Sequence, residues 1–469
     1  MHTLSLPLAA PRGESHWSSD SWQGRPAAQH PNYDDPAALR AVLDRLRCLP
    51  PLVTSSEVEN LKRQLAEVGQ GRRFVLQGGD CAESLSECSS DVIAGKLIML
   101  LQMSLVFVLR SKKPVVRIGR FAGQYAKPRS SPTEVRSGPD GTRLELPSYF
   151  GDLMNRATFT LEARRLDPQL LLSGYQHAAL TLNFLRSLTG GGFADLNHST
   201  HWNLSRFLDT KLSSELRQEY QHIVPQLAEE QSILTALGEA SFNGLSRLEF
   251  YTSHEGLNLY YESAQTRAEP RWSGHYCLTA HLPWIGERTR ALDGAHVEFF
   301  RGIQNPIGVK LGPSADPDEV MRLIEVLNPD DQPGKIVLIP RLGVEQVERA
   351  LPPLVEAVKK SGRRVVWVSD PMHGNTLATS TGVKTRRFDS ILREVELSFD
   401  VHEGCGSILG GVHFELTSDD VTECLGGVRG ITEGDLDKNY TSLCDPRLNY
   451  HQAMEMAFRI AKRMSHGQR

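Results

Sequence analysis

Four side chains far apart in the sequence share the chemistry of a metal centre. Cys81, in Gly78-Gly79-Asp80-Cys81-Ala82-Glu83, offers soft sulfur, and His373, in Asp370-Pro371-Met372-His373-Gly374-Asn375, offers imidazole. Glu415 and Asp445, the latter in Leu443-Cys444-Asp445-Pro446-Arg447, offer carboxylates. Such a mixed set suits a borderline divalent ion (Mn²⁺, Fe²⁺, Co²⁺ or Zn²⁺) rather than Mg²⁺. No local spacing ties the four together. The 7 cysteines contain no C-x-x-C pair, and His254-Glu255 and His402-Glu403 both lack the second histidine of H-E-x-x-H. Taken singly, a lone cysteine reads as a small core residue and an Asp-Pro as a turn.

A second group is cationic: Arg120, Lys127, Arg129, Arg288, Lys310 and Arg341. Taken singly, each reads equally well as a surface or salt-bridging residue. If they converge, each close pair at about 4 Å costs on the order of 4 kcal/mol at an effective dielectric near 20. Something anionic must then neutralise them, and arginine forks match phosphate and carboxylate, which points to a small, multiply charged phosphate. The chain as a whole is no polyanion binder, since 52 Lys and Arg against 56 Asp and Glu leave a formal charge of −4. Nucleic acid and anionic membrane surfaces are therefore excluded as partners by charge. No Walker-type loop, G-x-G-x-x-G or G-x-S-x-G elbow is present.

The elements that must position these residues read as strands alternating with helices. Short apolar runs recur at Arg73–Gln77, Pro114–Ile118, Leu248–Thr252, Tyr276–Trp284, Pro306–Lys310, Lys335–Ile339, Arg364–Val368 and Gly411–Glu415. Most are followed by a turn and a helical pattern, such as Asp318–Leu327 or Val344–Val358. Eight such runs predict a (β/α)₈ TIM barrel, whose strands are buried on both faces and whose chemistry sits at their C-terminal ends. Each cation and each metal-type ligand then falls at or beyond a strand end. Leu170–Leu172 is set aside as a ninth strand because its surroundings read helical. The expected organisation is an N-terminal tail and helical extension over 1–68, then a barrel over 69–469 with a helical insertion between strands 2 and 3 at about 150–247. Asp34 or Asp35, and Thr54 or Ser55, are caps for two helices of the extension. Leu97–Leu109, interrupted by Gln102 and Ser104, reads as a buried helix, shorter than the roughly 20 residues of a membrane span. With no basic leader and few, odd-numbered cysteines, a cytoplasmic protein with reduced thiols is expected. Trp17 and Trp22, in a polar tail, read as a docking arm or as partly buried surface residues.

Longer blocks carry a family resemblance. Phe74 to Ser84, Gly123 to Ser130, Trp284-Ile285-Gly286-Glu287-Arg288-Thr289-Arg290, Asn305 to Pro313, Asp370 to Thr376, Val421 to Gly427 and Cys444 to Asn449 strongly resemble the class II (plant-like) 3-deoxy-D-arabino-heptulosonate 7-phosphate (DAHP) synthases. The resemblance extends from about Trp22 to about Met464. It implies a metal-dependent condensation of phosphoenolpyruvate with erythrose 4-phosphate, the first step of the shikimate route. By motif, Cys81, His373, Glu415 and Asp445 would hold the metal, Mn²⁺ foremost. Arg120, Glu287, Arg288, Lys310 and Arg341 would bind phosphoenolpyruvate, and Lys127, Arg129 and Ser130 the aldose phosphate, with Lys127, Arg120 and Glu287 catalytic.

The resemblance further implies a homo-oligomer, dimer or tetramer, a chorismate mutase as a partner, and feedback effectors bound near Asp35–Leu65 or Arg156–Leu237. A family-like geometry would bring Cys81 and Cys444 to where oxidation could join them and expel the metal; an inert pair is the alternative. The chain departs from the family around the eighth strand, where Glu415-Leu416-Thr417-Ser418-Asp419-Asp420 stands in place of a Gly-Glu-Asn type turn after the threonine. Two other functions fit most of these motifs: an aminoDAHP synthase or secondary-metabolism paralogue using an imino or amino sugar phosphate, and a non-catalytic regulatory partner, which the intact ligand positions disfavour.

Overall fold

The computed structural model describes residues 17–137, 142–190 and 249–466. Eight parallel strands close into a barrel: β1 (Phe74–Gly79), β2 (Val115–Arg120), β3 (Tyr251–Glu255), β4 (Leu282–Ile285), β5 (Ile307–Leu311), β6 (Ile336–Pro340), β7 (Val366–Ser369) and β8 (Leu409–Glu415). Neighbours in sequence are neighbours in the barrel, and β8 pairs with β1. Six of the eight strands lie within a few residues of their predicted runs.

Strands β3 and β4 differ more. β3 begins three residues later than predicted, which brings Glu255 to its end. The apolar run Tyr276–Trp284 holds two strands: His275–Cys277 pairs with Thr266–Ala268 in a hairpin, and only Leu282–Ile285 joins the barrel. Leu278, Thr279, Ala280 and His281 between them are buried, so the run is apolar through packing rather than pairing. A second hairpin, Thr133–Ser137 with Arg143–Pro147, follows β2 and was not anticipated. Leu170–Leu172 does lie in a helix, Gln169–Gly190. Residues 150–168 of the expected insertion hold only the short helix Leu161–Arg164 among turns and bends, and 191–247 lie outside the described residues.

Helix α1 (Pro36–Cys48) is capped by Asp35, whose side chain accepts from Ala37 and Ala38, and α2 (Ser55–Gly69) opens on a Thr54–Glu57 capping box. α2 seals the N-terminal end of the barrel. Its Leu61, Leu65 and Val68 join one buried cluster with Val75, Val116, Ile118, Tyr251, Leu282, Val337, Ile339, Val366 and Val368. These are alternate residues of the strands, as the period of two requires for a barrel interior. One layer higher, Gln77 Nε2 donates to Ser253 Oγ at 2.9 Å. Above that the inward positions become charged or polar: Arg120, Lys310 and Glu415, with the imidazole of His413 among them. Apolar floor and charged mouth are thus one pattern read upward.

Helix α3 (Ser90–Ser111) is long and apolar enough to cross a membrane, yet most of its side chains are buried within the protein. It packs along the C-terminal helix α4 (Tyr450–His466), where Tyr450 Oη donates to Gln102 Oε1 at 2.8 Å.

Candidate active site

The register levels the strand ends. Gly79 of β1 lies opposite Arg120 of β2 and Glu415 of β8. At Gly79, φ is 148° and an added Cβ would meet the Arg120 carbonyl oxygen at 2.7 Å, so this close approach needs glycine. Above these ends lies a cavity of about 220 Å³, and Arg120, Lys127, Arg129, Ser130, Glu287, Arg288, Lys310, Arg341, His373 and Asp445 all line it. Cys81 and Glu415 lie buried beneath, in contact with Lys127.

The Lys127 ammonium stands among four donor groups. Its Nζ is 2.7 Å from Cys81 Sγ, 3.0 Å from Glu415 Oε1, 2.7 Å from Asp445 Oδ2 and 3.4 Å from His373 Nε2. Ligand atoms of Cys81, Glu415 and Asp445 all lie within 4.8 Å of one another. His373 stands outside that trio and joins it through Nε2, 2.9 Å from Glu415 Oε1. Sulfur, imidazole and two carboxylates gathered on one cation are a donor set that fits a borderline divalent ion. The groups around them set their orientation. His373 Nδ1 meets Asp370 Oδ2 at 2.7 Å, an imidazole–carboxylate pair of the kind that fixes a ligating ring. Arg386 NH1 donates to Glu415 Oε2 at 2.6 Å, and both side chains are fully buried.

Electrostatics keeps Glu415, Asp370 and Lys127 charged despite burial. Burial alone would raise the Glu415 carboxyl, but His373, Lys127, Arg386 and Arg120 hold it well below the usual range. Asp370 is held down in the same way by His373 and Lys310. Burial would release the Lys127 proton, yet Asp445, Cys81 and Glu415 hold it on, so the side chain is an ammonium at neutral pH. Burial pushes the Cys81 thiol up. Cys81 and Cys444 are free thiols packed in one small buried cluster.

The loop after β2 brings Lys127 to this place. Glu83 accepts backbone N–H groups from Ala122, Gly123 and Gln124 at 3.0, 2.9 and 2.8 Å, clamping the turn in which Ala122 is left-handed at φ 63°. On the opposite wall Lys310 pairs with Asp370, and burial lowers its ammonium to about 8 against the pull of that carboxylate. Arg341 donates to the His373 carbonyl at 3.0 Å. Arg288 is exposed and has no hydrogen-bond or ion-pair partner among the described residues. Glu287 is engaged: Arg290 grips both its oxygens at 3.0 Å and Gly312 N donates to it at 2.6 Å. Its carboxylate therefore fixes the Gly312 turn and Arg290 from the cavity wall.

Several residues of the site were given no role in the sequence reading. Trp284 floors the cavity, with Arg120 and Lys310 over its ring at 5.3 and 5.7 Å. His413, fully buried and held neutral by burial and the Lys310 charge, accepts from Arg120 NH1 at 2.6 Å. Glu255 lines the cavity, with Oε1 buried and unpartnered; an added Cβ on Gly286 would meet that oxygen at 2.0 Å. Lys384 reaches within 3.5 Å of Asp445 Oδ1. A signal existed for two of them. His413 lies two residues before Glu415 and Glu255 two after Ser253, so each shares an inward face with a residue already at the strand end. Arg386 and Lys384 come from a hairpin after β7, where no strand period applies.

The chain matches known proteins along most of its length. A model of the class-II DAHP synthetase family matches residues 17–461. A phospho-2-dehydro-3-deoxyheptonate aldolase of Neurospora crassa is 46% identical over 461 residues, covering 95% of this chain and 94% of that protein. One of Streptomyces coelicolor is 46% identical over 447 residues, covering 95% and 97%. The AroG protein of that name from Mycolicibacterium smegmatis is 42% identical over 461 residues, covering 97% and 96%. A solved structure of the Francisella tularensis aldolase of the same name overlaps 93% of this chain and all of its own at a TM-score of 0.47 and 12% identity; the barrel here is assigned from its strand pairing alone.

Proposed function

Since the chain belongs to the class-II DAHP synthetase family, an enzyme family that makes DAHP, we propose that it condenses phosphoenolpyruvate with D-erythrose 4-phosphate and water, releasing phosphate. One observation carries this reading: a metal-type donor set and arginines that have no carboxylate partner among the described residues share one cavity at the C-terminal end of the barrel. A divalent ion held by Cys81, His373, Glu415 and Asp445, Mn²⁺ foremost, would supply Lewis acidity toward the aldehyde carbonyl.

The protein's own groups account for the rest. Arg288, Arg341, Lys310 and Arg120 bind the phosphate and carboxylate of phosphoenolpyruvate; Glu287 orients the turn beside them. Arg129, Ser130 and Lys127 take the aldose phosphate end. Two anionic substrates repel each other, so these cations hold C3 of one against C1 of the other as much as they supply affinity. Lys127, an ammonium at neutral pH, donates a proton to the aldehyde oxygen as the C–C bond forms. Water then adds at C2, and phosphate leaves by cleavage of the C–O bond. The imidazole of His413, kept neutral, accepts from Arg120 and aims its guanidinium at the cavity.

Phosphate release from phosphoenolpyruvate, measured with and without erythrose 4-phosphate and with Mn²⁺ or EDTA, tests the reading. Release that needs both substrates and the metal is expected. Release only with an imino or amino analogue of the tetrose would move the assignment to an amino-sugar enzyme, and none with either would refute catalysis of this kind.

A further inference from the structure

Trp17 and Trp22 anchor an arm that runs along the outside of the barrel toward the mouth. Trp22 is buried, its Nε1 donates to Ser263 Oγ at 2.8 Å, and its ring packs on His30 and Tyr260 at centroid distances of 4.7 and 5.1 Å. Trp17 Nε1 donates to the Glu298 carbonyl at 3.0 Å, and Pro26 accepts from Ala295 N at 2.9 Å. The arm ends in a sharp reversal: Gln29 is left-handed at φ 60°, uncommon for a residue with a side chain. Beside it His30 Nε2 accepts from Leu259 N at 3.1 Å. Held this way, Gln29 Oε1 accepts the backbone N–H of Arg129 at 2.9 Å.

That hydrogen bond fixes the backbone at Arg129, while the side chains of the segment are held from the other side, Lys127 by Cys81, Glu415 and Asp445 and Arg129 NH1 by Cys444 Sγ at 3.4 Å. Lys127 N–H is taken by the Phe150 carbonyl at 2.9 Å. Pro128 has no N–H to give. The next donor, Arg129 N–H, depends on a side chain about one hundred residues away in sequence, on an arm outside the barrel. A part-buried backbone donor left without an acceptor is costly, so the segment settles where Gln29 meets it.

We propose that Gln29 is a positioning residue for the aldose-phosphate end of the cavity: the tryptophan-anchored arm sets where Arg129 and Ser130 present their phosphate-binding groups. The assignment of that end to erythrose 4-phosphate rests on the function proposed above. In the full chain, Gln29→Ala is expected to raise KM for erythrose 4-phosphate about fivefold, the loss of one ordinary hydrogen bond, with kcat and KM for phosphoenolpyruvate within about twofold of wild type. Gln29→Glu keeps the acceptor and is expected to keep the wild-type KM. Trp22→Ala, which frees the anchor, is expected to give the same rise, and Trp22→Ala with Gln29→Ala no more than either alone.

Wild-type KM in Gln29→Ala, or an equal rise for both substrates, would overturn the proposal. Amide hydrogen exchange in a peptide spanning Arg129 reads the coupling without turnover. Faster exchange in Gln29→Ala but not in Gln29→Glu supports the arm's role, and unchanged exchange removes it. A wild-type chain that fails to condense the two substrates defeats the functional reading instead, and the exchange result then decides the arm alone.

Discussion

Lys127→Met removes a charge while nearly keeping a volume, and its effect on metal affinity follows from what the ammonium touches. Lys127 Nζ lies 3.0 Å from Glu415 and 2.7 Å from Asp445, which at an effective dielectric near 20 corresponds to roughly 5–6 kcal/mol of attraction for each pair. Desolvating the buried ions offsets much of this, and breaking a buried pair from one side costs about 3–5 kcal/mol. In the metal-free variant that cost falls on a carboxylate pair left facing each other. A divalent ion relieves it and no longer has to compete with an ammonium for the same donors. At 1.4 kcal/mol per factor of ten, Mn²⁺ should bind about a hundred- to a thousandfold more tightly to Lys127→Met than to wild type. Calorimetric titration of metal-free protein measures this directly, with melting in chelator as a second readout. The variant should melt lower than wild type in EDTA and recover most of the difference in Mn²⁺, while losing turnover. Mn²⁺ affinity equal to or weaker than wild type would refute the view that Lys127 and the metal share one donor set.

Three other perturbations follow from the same geometry. Arg386→Met strips Glu415 of a fully buried partner at 2.6 Å and should cost about 3–5 kcal/mol of stability; an unchanged denaturant midpoint would show that Arg120 and Lys127 suffice to hold the carboxylate. Trp284→Leu removes the ring beneath Arg120 and Lys310, and with cation–π contacts near about 1–2 kcal/mol when desolvated it should raise KM for phosphoenolpyruvate on the order of tenfold, whereas a wild-type KM would take the ring out of substrate binding. Burial pushes the Glu394 carboxyl up from 4.5 to about 7, so between those values the folded chain keeps a proton that the unfolded chain has released, and stability falls as pH rises through that window. Glu394→Gln should flatten the decline in Tm between pH 5 and 8, and parallel curves for the two proteins would assign the pH dependence to other groups.

What could be read in the sequence was set by the barrel's regularity. Inward and outward residues alternate along every strand, and the loops at one end converge, so residues such as Arg120, Lys310 and Glu415 betray their position by following an apolar run. The boundary errors arose where apolar character had another cause. Leu278 to His281 are buried in a turn, and nothing in their composition separates them from the strand that follows. Arg386 and Glu394 were invisible for a different reason: one lies in a short hairpin and the other on the helix after it, Phe388–Gly404. Their importance comes from contacts to Glu415 and to the Leu342, Gly343 and Asn375 groups across the mouth, which no local spacing encodes.

The six cations expected to demand an anionic ligand are not equivalent once their partners are known. Arg120 and Lys127 share Glu415, Lys127 also meets Asp445, and Lys310 pairs with Asp370. Half of the positive charge is therefore neutralised by the site's own carboxylates and serves to hold the metal-type ligands in place. Arg129, Arg288 and Arg341 have no carboxylate partner among the described residues, and they are the ones a phosphate or carboxylate group can pair with bidentately without displacing an internal ion pair. Substrate affinity should accordingly depend most on these three, while changes at Arg120, Lys127 or Lys310 should disturb metal binding and stability as well. The mildly acidic net charge of the chain is compatible with a phosphate-binding mouth because the compensation is local: carboxylates stand within about 3 Å of the cations they neutralise, where the attraction is barely screened, and only the arginines left over present their charge to solvent.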